Sequence, residues 1–556
     1  MDTVTTLLGQ YDRLYTAQNN WREIWQELAD YIIPRKTGFT SKVTPGTKTT
    51  TKLFDSAAIH ANELLAASMN GTLTSQSIQW YNLAIGGLDL EKDNEANKWL
   101  ELCAREMTRA FRQSNFYSEV HEVYLDLGAL STGCIYTEER DLGYSTFNGF
   151  LFKALGLNEY VIDEDYEGRV NTLFRKIELS AQAALSKWGN KAGEKVVKAY
   201  NDNKPDEIFE FLHGVFPREK RDRRSKRSIN KPFASYYLSV KEKKIVEEGG
   251  YDEFPFAVPR WLKSSGEKYG RGPGMTALPD IRTLNKAKEF GLKAWAKAID
   301  PPVKQLDDGV VGSTRLVAGG VTIVRDMNAL EALKLDSRFD IASIKEEELR
   351  KSIREIFYSD QLQLQEGPQM TATEVYVRYE LMQRLLGPTL GRLESEFLNP
   401  IIERCFNMML RSGAFPRPPQ SIVEFAKRKH GFIDIEYEGP LARAQRSQEL
   451  MAIQKFNDTM APMANVNPEV LDIIDTDAVA RKVATVAGVP SDCVRSEAAV
   501  QVIRNKRNEE IAKKAQLEEI SSMADAAGKA APVLQMVGQG NVPASGGTPM
   551  MGAPTK

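Results

Sequence analysis

Apolar positions recur near every 3.6 residues at the start of the chain. Leu7, Leu8, Tyr11, Leu14, Tyr15, Trp21, Trp25, Leu28, Ala29 and Ile32 share one heavily aromatic face. This spacing predicts a helix that ends at Pro34, whose ring cannot continue it. A Gly/Thr/Lys-rich stretch over 37–52 reads as a loop, and Asp55 then stands at the N-cap of a second apolar helix through Ile59, Leu64, Leu65 and Met69 to Gly71. Segments 94–113 and 117–130 carry the same helical period. Between about Ile135 and Tyr251 the period shortens to two, as in Arg169–Ile177 and Ala234–Val240, which predicts strands around one helix near 181–201.

The next stretch predicts a hairpin of two helices. Tyr269-Gly-Arg-Gly-Pro-Gly274 is too rich in Gly and Pro for a regular element, and Pro279 is a favourable first helical residue for a helix that Asp300-Pro301-Pro302 ends. A second helix opens at Ser343, which has capping-box spacing to Glu346, and runs to about Tyr358. At 1.5 Å per residue the two are roughly 30 and 25 Å long, matched well enough to lie antiparallel. Between them, Thr314–Val317 and Val321–Val324 are β-branched runs joined across Gly319-Gly320, the pattern of a small hairpin. Such a module encloses little core, so neighbouring copies are expected to complete it. Beyond it, a Gln-rich loop over 359–370 precedes a long helix with a capping box at Thr371 and Glu374. Interruptions are expected at Gly387-Pro388 and Asn399-Pro400. A strand over 432–437, an Ala- and charge-rich helical stretch over 441–525 and a Gly/Ala/Pro-rich tail expected to be disordered complete the chain. The expected fold class is α+β, predominantly helical.

Composition narrows the function classes. Lys plus Arg total 73 against 75 for Asp plus Glu, so any contact with phosphate must be local or weak. Cys103, Cys134, Cys405 and Cys493 form no CxxC pair and read as buried free thiols, and no signal segment or long apolar span is evident, so a soluble intracellular protein is expected. There is no GxxxxGK[ST] loop, and Gly270-Arg-Gly272-Pro-Gly274 does not fit GxGxxG. His60, His121, His213 and His430 are scattered. The acidic pairs Asp163/Asp165 and Asp307/Asp308, which could hold Mg²⁺ in a nuclease, sit in polar turns without an accompanying Lys or His. No catalytic, cofactor or metal site is expected. Two features could touch nucleic acid. Arg218–Arg227 holds seven basic residues in ten, without an aromatic for base stacking, and reads better as a solvated β-loop. Arg282, Lys286, Lys293 and Lys297, diluted by Glu289, line one face of the first hairpin helix.

The chain resembles the portal, or head-to-tail connector, proteins of short-tailed, T7-like phages. Signatures in order carry the resemblance from about Trp21 to Asp525. They are Trp21-x3-Trp25 with Tyr31 and Pro34, Phe54-Asp-Ser-Ala57, Gly71-Thr-Leu-Thr74 with Trp80-Tyr81, Tyr269–Gly274 with Ala277-Leu-Pro-Asp280, Asp300-Pro-Pro302, and Met370-Thr-Ala-Thr-Glu-Val375 with Gly387-Pro388. Phe54 and Ala57 depart from the Tyr and Thr often found beside the Asp-Ser pair, a tolerated change of packing.

The resemblance implies a non-enzymatic ring of twelve around a channel for double-stranded DNA, with no cofactor. It implies a wing (1–277 and 371–440), a stem of two helices (278–300 and 342–360), a clip (301–341), a tunnel loop (361–370), a crown (441–525) and a tail (526–556). Gln361, Gln363, Gln365, Glu366 and Gln369 would then face DNA together with Arg282, Lys286, Lys293 and Lys297. Arg315, Leu316, Val317, Val321, Thr322 and Ile323 would serve clip contacts between copies and with the motor or tail. The implied partners are the terminase large subunit, tail adaptor and tube proteins, scaffold and major capsid protein, and internal core proteins, with no membrane. The implied location is one capsid vertex of the virion, after assembly in the host cytoplasm. The rivals are a monomeric nucleic-acid binder using Arg218–Arg227 and a Mg²⁺-dependent nuclease using an acidic pair.

Overall fold

The computed structural model describes residues 3–77 except 45, 79–85, 94–140, 143, 147–299 except 223 and 226, 303–305, 310–311, 323–325, 330–332, 339–359, 387–428, 433–437, 450–460, 462, 475–486, 493–495 and 499–518. The chain divides into two compact units, Met1–Ala452 and Ile453–Lys556.

The first unit opens with two helices where one was expected, α1 (Thr3–Ala17) and α2 (Asn19–Ile32). The break falls at Gln18, which is buried and donates through Nε2 to the Tyr160 carbonyl at 3.1 Å and the Tyr269 hydroxyl at 3.0 Å. The two apolar faces serve different cores. Val4, Leu7, Tyr11 and Leu14 of α1 pack with Val161, Phe174, Leu212 and Leu238, whereas Trp25, Leu28, Ala29 and Ile32 enter the main core.

That main core is built around α3 (Ala57–Leu73), α4 (Asn94–Gln113) and α5 (Phe116–Leu130). Most of α5 is buried, which suits its nearly continuous apolar sequence. It ends where Ser131 takes a left-handed conformation, φ 65°. Strand β1 (Tyr81–Ile85) lies antiparallel to the distant strand Ile433–Tyr437, in register from Tyr81↔Tyr437 to Ile85↔Ile433. The later strand was expected, but its partner was not.

The alternating region forms two antiparallel sheets. Three strands, β2 (Ile135–Glu139), β3 (Phe150–Ala154) and β9 (Phe256–Ala257), pair in the order β3-β2-β9. Five strands, β4 (Tyr160–Glu164), β5 (Val170–Ser180), β6 (Ile208–Pro217), β7 (Phe233–Ser239) and β8 (Lys244–Tyr251), pair in chain order. The predicted 181–201 helix is two, α6 (Ala181–Trp188) and α7 (Glu194–Asn201), joined by a turn of 3₁₀ helix at Gly189–Ala192. Period-two alternation on β6 places Phe209 and Phe211 with the α6–α7 cluster and Leu212 in the α1 cluster.

Two long helices, α8 (Pro273–Ile299) and α9 (Phe339–Ile356), pack together as the expected hairpin. Both start earlier than predicted and they are unequal, about 40 and 27 Å long at 1.5 Å per residue. Pro279 is the seventh residue of α8 and Ser343 lies inside α9, so neither opens its helix. Between them, β10 (Val303–Gln305) pairs with β13 (Leu330–Ala332), and β11 (Val310–Val311) with β12 (Ile323–Val324). The partner of Ile323-Val324 is thus Val310-Val311, not the 314–317 run, which lies outside the described residues together with Gly319-Gly320.

From residue 387, where the described residues begin again, the chain is helical, passes through a π-helical turn at Glu394–Leu398, and continues as Asn399–Arg411. The wider turn accommodates Pro400, which lacks an amide hydrogen, so the expected interruption takes the form of a π-bulge. The capping box at Thr371 and Glu374 lies outside the described residues, as does the tail 526–556. In the second unit, the helix Thr476–Val486 and the helical stretch 499–518 are joined by an Arg504–Asp477 ion pair at 2.5 Å.

Candidate functional site

The α8–α9 hairpin is anchored by the Gly-rich run that was expected to be a loop. Gly270 N donates to Thr132 Oγ1 at 2.8 Å, Trp261 N donates to the Ser131 carbonyl at 3.0 Å, and Leu262 and Arg271 exchange backbone bonds at 3.1 and 2.8 Å. A Cβ on Gly270 would sit 2.2 Å from the Ser131 carbonyl oxygen, and one on Gly274 would sit 2.2 Å from that of Ala129. The glycines therefore let the first turn of α8 press against the end of α5. Pro273 takes the first helical position, where its missing N–H costs nothing.

Polar clamps fix the hairpin further along. The Asn285 side-chain oxygen accepts from Phe54 N at 2.8 Å and Asp55 N at 3.1 Å, while its amide donates to the Ile281 carbonyl at 2.9 Å. Asp55 also receives the Arg350 guanidinium of α9 at 2.8 Å, and Ala57 N donates to its other carboxylate oxygen at 2.9 Å. Ser352 donates to Asp280 at 2.7 Å, tying α9 to α8. Glu346, the expected capping partner of Ser343, instead accepts from Lys288 at 3.0 Å and Arg350 at 3.4 Å. Nothing in the sequence around Phe54-Asp-Ser-Ala57 or Ala277-Leu-Pro-Asp280 marks these partners. Their partners are hundreds of residues away in one case and across the hairpin in the other.

The basic stripe on α8 is exposed and largely ion-paired. Arg282 meets Glu27 of α2 at 3.1 Å, and Lys286 and Lys293 both meet Glu289, at 2.9 and 2.5 Å. Those two lysines hold the Glu289 carboxyl below the usual carboxylate range through their hydrogen bonds. Lys297 is exposed one turn further on. Gln361, Gln363, Gln365, Glu366 and Gln369 lie outside the described residues, as do Arg315, Leu316, Val317, Val321 and Thr322. Ile323 is exposed on β12.

The rival sites look structural. Arg218 folds back onto Glu248 at 3.0 Å and the Gly249 carbonyl at 2.9 Å, while Lys220, Arg221, Arg224 and Arg227 are exposed in the β6–β7 loop. Asp163 binds Lys268 at 2.5 Å, and Asp165 closes the β4–β5 turn by accepting from Glu167 N and Arg169 N, both at 2.9 Å. Asp307 and Asp308 lie outside the described residues. Among the described residues no group of three or more His, Cys, Asp or Glu is placed to hold a metal, and no helix is long and apolar enough to cross a membrane. Cys103, Cys134 and Cys405 are buried thiols, but Cys493 is exposed, against expectation.

Comparison with known proteins decides what a hairpin rooted in this way belongs to. Residues 4–494 match the family described as bacteriophage head to tail connecting protein. The chain belongs to that family. A probable portal protein of Bordetella phage BPP-1 is 28% identical over 94% of each chain, and the portal protein of Salmonella phage epsilon15 is 27% identical over 95% of this chain and 94% of its own. A solved neck of a native gene transfer agent particle is 11% identical over 72% of this chain and 86% of its own, with a TM-score of 0.31. This connector is therefore a structural portal, not an enzyme, and it forms a ring at the capsid vertex between head and tail.

Two buried titratable groups, His213 and Asp126, give the connector opposite responses to pH. His213 of β6 lies between the two sheets, its ring stacked on Tyr237 with centroids 4.0 Å apart. Arg175 Nε donates to His213 Nδ1 at 3.0 Å, so the ring proton sits on Nε2 and points to Ser235 Oγ, also at 3.0 Å. Arg175 in turn lies 4.3 Å over the Tyr136 ring of β2. Burial, then the charges of Arg175 and Lys187, hold this imidazole neutral well below its ordinary range. Unfolded His213 takes up a proton below about pH 6.5 and the folded ring does not, so its contribution is present above that pH and is lost as the pH falls. Asp126 acts in the opposite sense. Burial pushes its carboxyl up to about 6 despite Lys36 at 2.7 Å, so the folded state binds that proton first and gains stability as the pH falls through 6. The advantage of the wild type over His213→Gln should therefore shrink on acidification from about pH 7.5 to 5, by up to about 1.4 kcal/mol per pH unit. Denaturant melts of both proteins check this, and a pH-independent difference would contradict it.

Proposed function

We propose that the ring conducts double-stranded DNA during packaging and ejection. In this reading α8 and α9 form the stem, residues 301–341 the clip, residues 361–370 a tunnel loop facing DNA, and residues 441–525 the crown, with twelve copies per ring. The observation that carries it is the anchored α8–α9 hairpin, whose exposed basic stripe is largely ion-paired with Glu27 and Glu289. A conduit must let DNA slide, and each phosphate neutralised adds salt-dependent affinity and hence friction. A stripe with most of its charge paired suits weak contact. Amide side chains at Gln361, Gln363, Gln365 and Gln369, beside Glu366, would touch phosphate without long-range attraction.

The chain has no phosphate-binding loop, so the energy for translocation would come from a separate motor, the terminase large subunit, docking on the clip. Tail adaptor and tube proteins would later take that surface, with Arg315, Leu316, Val317, Val321, Thr322 and Ile323 among the contacts. Scaffold, major capsid and internal core proteins would meet the ring on the head side, during assembly in the host cytoplasm. Replacing Gln361, Gln363 and Gln365 with Ala should leave ring assembly intact while changing packaged DNA or its retention, read by nuclease-protected DNA per particle. Unchanged packaging and retention would count against the loop assignment.

A further inference from the structure

Folding gathers lysines from two separate stretches of sequence onto one end of the five-stranded sheet. Lys187, Lys191, Lys195 and Lys198 are exposed along α6, the 3₁₀ turn and α7, and Lys241, Lys243 and Lys244 are exposed on the turn between β7 and β8. Glu242 ties that turn to the helix: its carboxylate accepts from Glu194 N at 3.2 Å and Lys195 N at 2.6 Å, amides that the first turn of α7 leaves without a helical partner. Segments 181–201 and 240–247 hold these seven lysines against three glutamates. Two of the three are engaged elsewhere, Glu242 with the α7 amides and Glu247 with the Trp188 indole at 2.7 Å. Among the described residues none of the seven lysines forms an ion pair, in contrast to the stripe on α8.

We propose that this lysine surface binds an acidic segment of another protein, rich in Asp and Glu. Like charges crowded on one surface repel, so an acidic partner relieves that repulsion as well as adding attraction. Neither segment contains an arginine, whose planar fork is the usual choice for phosphate and nucleic acid. Glu194 is exposed among the lysines and would oppose a continuous row of phosphates, whereas a peptide can place its carboxylates around it. Two of the ammonium groups are already restrained, Lys187 4.4 Å over the Tyr237 ring and Lys241 4.8 Å over that of Phe209, so they lose less freedom when a partner arrives. The helices α6 and α7 pack in a core distinct from the one that roots α8, so binding here does not depend on the DNA channel.

The test titrates the full chain into a labelled Glu-rich peptide and, separately, a labelled DNA duplex, read by fluorescence anisotropy. Lys191→Gln/Lys195→Gln/Lys241→Gln/Lys243→Gln should weaken peptide binding about tenfold or more relative to the wild type, and the same four positions changed to arginine should restore it. Arg221→Gln/Arg224→Gln, in the exposed basic β6–β7 loop, should leave peptide binding unchanged. Circular dichroism should show all three variants folded, since every substituted side chain is exposed. Equal peptide affinity of the wild type and the glutamine variant would overturn the proposal, as would a loss confined to the loop variant. Loss of duplex binding in place of peptide binding would mark the surface as a nucleic-acid site and overturn it too.

Discussion

Arg260→Met is expected to lower the stability of the first unit by about 3–5 kcal/mol, the scale on which removing one partner of a buried ion pair acts. Arg260 is 1% exposed and satisfied on every side. Its guanidinium donates to Glu396 at 3.0 and 2.7 Å, to the Lys268 carbonyl at 3.1 Å and the Gly168 carbonyl at 3.0 Å, and it pairs with Glu164. Three segments meet at this one side chain: the end of β4, the turn that follows it, and the π-helical turn before Pro400. Methionine restores volume but leaves Glu164 with Lys263 at 2.8 Å, and Glu396 with Arg392 at 2.9 Å and the backbone amide of residue 260 at 3.1 Å. Arg260→Lys keeps the charge and loses the planar fork, so it should fall between the two. The check is a set of thermal and denaturant melts at one protein concentration, because assembly itself shifts apparent stability. A methionine variant that melts with the wild type would contradict the assignment.

Gly274→Ala sets helix propensity against packing and decides which wins. Propensity alone favours alanine inside a helix by about 1 kcal/mol. At Gly274 the added Cβ would lie 2.2 Å from the Ala129 oxygen and 3.0 Å from its carbonyl carbon, both backbone atoms that cannot rotate away. The expected result is a loss of about 3 kcal/mol or more, through separation of α8 from α5. Gly9 in α1 is the control, because a Cβ there meets nothing within 4 Å. Gly9→Ala should stabilise by up to about 1 kcal/mol. Paired thermal melts give both signs, and a stabilised Gly274→Ala would remove the close-packing explanation of the Tyr269–Gly274 run.

The same glycines explain why the hairpin was legible and its start was not. Periodicity on α8 and α9 depends on local sequence, so both helices could be read. Gly270-Arg-Gly272 is irregular, as its composition suggested, but Pro273 and Gly274 already belong to α8, and these glycines answer to α5, more than a hundred residues earlier. Pro279 then attracted the helix start that belongs to Pro273. Ser343 and Glu346 had capping-box spacing, but Lys288 and Arg350 engage the glutamate across the hairpin and α9 runs on to Phe339. At Gln18, a helical period that continues unbroken conceals a break, because α1 and α2 bury their stripes in different cores.

Long-range pairings were the least legible. Asp55 and Arg350, or Tyr81 and Tyr437, carry no local signal of one another, and short motifs such as Phe54-Asp-Ser-Ala57 mark only one end of each contact. The candidate channel face was legible as a basic stripe because its spacing is local. Its neutralisation by Glu27 was not, since that glutamate belongs to α2. In the folded chain three of its four cations meet Glu27 or Glu289.

The central claim is that copies of this chain close into a ring around a DNA-sized channel, and end-on electron micrographs of the purified protein test it most directly. Annular particles with an open centre, many times the mass of the 62.3 kDa chain, are the expected result. Uniform particles of single-chain size with no central opening would contradict it.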